Sequence, residues 1–111
     1  MNKYMVLYIA PIPAEEQMSA ARTPEEAQKG MEPWMAWQKK YGKAIVDMGA
    51  PLGKSARLEK KGSSKGKTDV TGYTIIQAKD MDEVKAILAD HPIYMMPKAS
   101  IEVFEIMLMA M

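Results

Sequence analysis

The chain has 111 residues, of which 48% are hydrophobic and 26% charged, with no cysteine and a formal net charge of +1. That length supports one domain over residues 1–111 with a core of its own, and the missing cysteines exclude both a disulfide framework and a thiolate metal site. Balanced charge gives no basic excess for phosphate-driven binding, and no stretch reaches the ~20 consecutive apolar residues that span a bilayer, so the expected partners include neither nucleic acid nor membrane. A cytoplasmic home is the default for such a composition. The 12 methionines read as soft filler for an irregular core.

Residues 3–10 alternate as a strand, with Tyr4, Val6 and Tyr8 on one face and Met5, Leu7 and Ile9 on the other. Both faces are apolar, so something must cover each. Residues 11–22 form a connecting loop behind Pro11 and Pro13, with at most one helical turn across 14–21. Thr23-Pro24-Glu25-Glu26 then opens a helix: Thr23 supplies the capping oxygen, Pro24 suits the first helical position and Glu26 completes the box. Pro33 is expected to interrupt or restart this helix, after which Trp34, Trp37, Tyr41, Ala44, Ile45 and Met48 make one stripe that stops at Gly49. The two tryptophans lie within the stripe and read as core packed on a sheet.

Residues 49–53 make a turn and 54–59 a strand, which leads into a Gly, Ser and Lys segment over 60–67 that reads as a solvated hairpin tip. Tyr73 to Ala78 is the next strand. Asp80, with Glu83 three positions on, caps a helix whose stripe is Met81, Val84, Ile87 and Leu88 and which Pro92 forbids from continuing. A loop over 93–100 precedes the last strand, 101–109, again apolar on both sides.

The order β-α-β-β-α-β is that of the ferredoxin-like split motif, an α+β fold with an antiparallel sheet and two helices on one face. The uncovered face then needs a partner, and a second copy of the same sheet is the natural one, giving a sheet-to-sheet homodimer.

Several pieces taken in order carry a resemblance: the 3–10 strand, Gly49-Ala50-Pro51-Leu52, the Val70 to Ile76 strand before Asp82-Glu83, the Asp90-His91-Pro92 exit and the terminal Ile101-Glu102-Val103. Together, from Lys3 to about Leu108, they resemble the YCII-related domain family. The resemblance implies a dimeric α+β barrel with a small cleft between sheet and helices in each subunit. It also implies relatives of two kinds, most without an assigned reaction and some that are small enzymes acting on substituted aromatics or lactones. The family's polar pair is a first-helix histidine with an aspartate at the second-helix exit; no histidine stands between Met31 and Trp37, and Asp90 alone matches.

His91 is the sole histidine, and an imidazole beside a carboxylate is the side-chain pair suited to proton transfer near neutral pH, so His91 and Asp90 are candidate catalytic residues. The plainer role places His91 against the carbonyls of a helix C-terminus, with Asp90 capping the following turn. Glu105, between Val103 and Met107 on one strand face, is the third candidate acid and is expected to need a partner such as Lys54, Arg57 or a tyrosine. Lone histidine and scattered carboxylates have no metal-ligand spacing, and no phosphate-cradling or dinucleotide fingerprint is present, so neither metal nor cofactor is expected. Two functions follow: a homodimer holding a small apolar or aromatic molecule in a cleft walled by Tyr8, Trp37 or Pro51, or a cofactor-independent isomerase, lyase or dehydrochlorinase-like enzyme.

Overall fold

The computed structural model describes residues 1–12, 23–66 and 68–107. Its elements are β1 (Asn2–Ile9), α1 (Pro24–Lys40), β2 (Ile45–Asp47), β3 (Ala56–Glu59), β4 (Gly62–Lys65), β5 (Val70–Ala78), α2 (Met81–Leu88), a 3-10 turn (Pro92–Met95) and β6 (Ser100–Ile106). Four strands form an antiparallel sheet in the order β2-β5-β1-β6, an arrangement compatible with a ferredoxin-like fold. The expected helical turn over 14–21 and the end of the last strand beyond Met107 lie outside the described residues.

Register explains the two faces. Tyr4 stands between Ile76 and Glu105, and Val6 between Thr74 and Val103, whereas Met5 stands between Ile75 and Phe104. The first set faces the helices, where Tyr4, Val6, Tyr8, Ile76 and Ala78 join Trp37 of α1 and Val84, Ile87 and Leu88 of α2 in one buried core. Met5, Leu7, Ile9, Tyr73 and Ile75 remain half-buried on the other face, beside the exposed Phe104 and Ile106.

Both helix starts form as the sequence requires. The Thr23 hydroxyl accepts from the Glu26 amide at 3.1 Å, and the Asp80 carboxylate from the Glu83 amide at 2.9 Å. Each contact satisfies an amide that has no partner within its own helix.

Four expectations need correction. Helix α1 runs through Pro33 without a break. Proline there removes the donor to the Lys29 carbonyl and crowds that oxygen, and Lys29 is exposed, so the carbonyl can tilt towards water, which replaces the missing bond. The helix also stops at Lys40 instead of reaching Gly49. Gly42 weakens any continuation, the β-branched Ile45 and Val46 favour a strand, and Ile45 and Asp47 pair with Ile76 and Ile75 of β5, where the Gln77 amide donates to the Ala44 carbonyl at 2.7 Å. Residues 62–65, expected as loop, form β4 and pair with β3 across a turn at Lys60 and Lys61, in an exposed hairpin separate from the main sheet. Finally, methionine does not fill the core: Met31, Met35, Met81, Met95 and Met107 are exposed, Met5, Met48 and Met96 are half-buried, and none of the described methionines is buried.

The 49–53 turn is held closely against the sheet. Gly49 has φ +75°, and a Cβ there would run into the Tyr73 carbonyl, so the position requires glycine twice over. Beneath it the buried Tyr8 hydroxyl donates to Thr74 Oγ1 at 2.6 Å, because the Thr74 hydroxyl already spends its own proton on the Met48 carbonyl at 2.9 Å. Burial pushes the Tyr8 phenol up to about 12, against the smaller opposing effect of the Thr74 contact. It stays protonated under ordinary conditions.

Candidate functional site

An open groove of about 420 Å³ runs between the second half of α1 and the segment that leaves α2. Pro33, Ala36, Trp37 and Lys40 form one wall; Ala89 to Pro92, with Tyr94 and Met95, form the other. The wall from α1 repeats at spacings of three and four, which keeps those four side chains on one helical face. The second wall exists because Pro92 ends the α-helical path after Leu88 and starts a 3-10 turn in its place. Trp37 ties the two helices together by donating from Nε1 to the Ile87 carbonyl at 3.2 Å.

His91 sits between the groove and the core and is only 2% exposed. Its imidazole packs against the rings of Trp37 at 4.5 Å and of Tyr8 and Trp34 at 4.7 Å between centroids, so aromatic surface surrounds it. Nδ1 accepts the Ile93 amide hydrogen at 2.9 Å. That bond fixes the neutral tautomer, because a nitrogen that accepts carries no proton and Nε2 must then be the N–H donor. Nε2 is buried and has no hydrogen-bond partner among the described residues. A buried donor left unmatched costs about 1–3 kcal/mol. Burial also pulls the histidine pKa down to about 4, against a weaker upward pull from Asp90, so the ring is neutral at physiological pH.

Asp90 takes a different direction from its neighbour. Its carboxylate accepts from Lys40 Nζ at 2.7 Å and from the Tyr41 hydroxyl at 3.0 Å, closing the end of the groove with an exposed polar clasp. The Lys40 contact holds the carboxyl below its usual value, and the same contact raises the lysine. An exposed pair of this kind orients side chains more than it stabilises the fold. Asp90 therefore does not cap the following turn; the His91 ring does, through the Ile93 amide.

The other predicted residues are dispersed. Tyr8 lies behind His91 in the core and does not line the groove, while Pro51 is exposed and bridges to Gly72 at the sheet end. Glu105 is exposed beside Tyr4 on the edge strand β6, so water solvates its carboxylate and no protein partner is required. Arg57, one of its expected partners, instead meets Glu59 within the hairpin at 3.0 Å. The groove lies between α1 and the α2 exit, and no sheet residue is in its walls. Sequence reasoning missed Pro33, Ala36, Lys40, Tyr94 and Met95; the spacing of the first three with Trp37 was the available signal.

Among the described residues no three His, Cys, Asp or Glu side chains gather in a way that could hold a metal ion. No helix among them is long and apolar enough to cross a membrane. No family model matches the chain, and no curated protein matches it.

Proposed function

We propose that the chain is a YCII-related protein that works as a cytoplasmic homodimer and binds a small apolar or aromatic molecule in the groove between α1 and the α2 exit. The observation that carries the binding reading is the composition of the groove: Pro33, Ala36, Trp37, Pro92, Tyr94 and Met95 offer apolar and aromatic surface, with one polar clasp at Lys40 and Asp90. Ligand sites of this kind are largely apolar with few, fixed polar groups. The dimer is supported by the row Ile75, Met5 and Phe104, which continues across β5, β1 and β6 on the face the helices leave open.

Binding is favoured over proton transfer by the residues first considered. The accepting nitrogen of His91 is already engaged, Asp90 is committed to Lys40 and Tyr41, and Glu105 stands exposed on the edge strand. A general base needs an accessible lone pair within reach of its substrate.

The test is protein-observed NMR with a panel of small aromatic compounds. Shifts that cluster on Ala36, Trp37 and Ala89 to Met95 are the expected result. If compounds bind but shift only residues elsewhere, or if none binds, the groove is not the site.

A further inference from the structure

We infer that His91 is a fixed hydrogen-bond donor, through which the groove selects apolar molecules bearing one neutral carbonyl oxygen. The inference rests on the groove being a ligand site, as proposed above, and names what that ligand must carry.

Three observations define the missing partner. Nδ1 is occupied by the Ile93 amide, so the only hydrogen the ring can offer is on Nε2. Nε2 meets no acceptor from the described residues, although His91 lines the groove. The ring is also packed against Tyr8, Trp34 and Trp37, so its immediate surroundings are aromatic. A buried water needs roughly two to four polar partners, and the Tyr8 hydroxyl and Trp37 Nε1 of the surrounding rings are already bound to Thr74 and Ile87. The matching occupant is therefore mostly apolar, with a single acceptor atom.

Charge narrows the acceptor further. A carboxylate drawn to Nε2 would leave water for an aromatic pocket whose lining cation among the described residues, Lys40, is already bound to Asp90 at 2.7 Å. It would also stand near the Asp90 carboxylate. A neutral carbonyl meets the donor without either cost. A ligand reaching Nε2 must part the side chains that seal it, and the wall least held by core packing is the outer one, with Tyr94 51% and Met95 76% exposed.

Because His91 is the only histidine, a histidine-selective nitrogen label gives one pair of ring resonances. In the free protein at neutral pH, Nε2 should be the protonated nitrogen; finding the proton on Nδ1 would overturn the inference. Acetophenone and ethylbenzene, alike in shape but differing in the carbonyl, are then added separately. Acetophenone should shift the Nε2 resonance and move its proton downfield, whereas ethylbenzene should shift Trp37 and leave Nε2 in place. If both shift Trp37 and neither changes Nε2, the donor role is wrong while the groove remains a binding site. If neither perturbs the groove, the binding reading fails, and this inference with it. His91→Phe, which keeps a ring in the aromatic cage, should weaken acetophenone about fivefold or more relative to ethylbenzene; an acetophenone-to-ethylbenzene affinity ratio equal in wild type and variant would also overturn the role.

Discussion

Trp37 and Ile87, on different helices, meet through a single buried hydrogen bond from the indole Nε1 to the main-chain carbonyl at 3.2 Å. The bond joins α1 to the end of α2 beside the groove that Trp37 lines. Trp37→Phe keeps an aromatic ring but orphans the carbonyl. The variant should lose about 1–3 kcal/mol of stability in urea denaturation, part of it from the smaller ring. A loss below about 0.5 kcal/mol would mean that the contact does not hold the helices.

Acid should weaken the fold through His91. Its ordinary pKa of 6.5 applies to the unfolded chain, whereas burial lowers the folded value to about 4. Between those values the unfolded state binds the extra proton, so stability rises with pH: the contribution is complete above 6.5 and disappears as pH falls towards 4. Urea midpoints should therefore correspond to a loss of about 2 kcal/mol between pH 7 and pH 5, a loss that His91→Phe should remove. Asp90, held below 3.8 by Lys40, gives up its own contribution only at lower pH and does not confuse the window. A flat profile for the wild-type chain would show that the ring is not buried neutral.

The open sheet face makes a prediction about assembly. Stable interfaces typically bury on the order of 1,200 Å² or more in total. Light scattering at micromolar concentration should give twice the 12.4 kDa chain mass. Met5→Asp, placed between Ile75 and Phe104 on that face, should give a folded monomer. Val6 does not serve for this test, because it is fully buried on the helix side and a charge there would unfold the chain. A wild-type protein that stays monomeric contradicts the dimer.

Much of the fold was legible because its signals are local. Thr23 and Asp80 announce their helices within three residues, and alternation puts Tyr4, Val6 and Tyr8 on one face of β1, although two apolar faces leave open which of them the helices cover. The end of α1 was not legible, since Ala44, Ile45 and Met48 continue the helical spacing; only the long-range pairing of β2 with β5 turns that stretch into a strand. The β3–β4 hairpin was hidden for a related reason, because serine, glycine and lysine do not distinguish an exposed strand from a loop. At the site, the sequence singled out Trp37, Asp90 and His91, all of which line the groove, yet nothing local indicates which way adjacent side chains point. His91 turns inward because Tyr8, Trp34 and Trp37 converge from β1 and α1, and Asp90 turns outward because Lys40 waits there.

The most direct measurement compares ligand affinity in the wild type and in a variant whose groove is filled. Ala36 is an exposed wall residue on α1, so Ala36→Trp should block the groove without disturbing the core. Aromatic compounds that bind the wild type should lose affinity about tenfold or more in calorimetric titration, a change of about 1.4 kcal/mol, while the circular dichroism of the variant stays that of the wild type. Unchanged affinity in a correctly folded Ala36→Trp protein would contradict the account, because the ligand would then be held somewhere else.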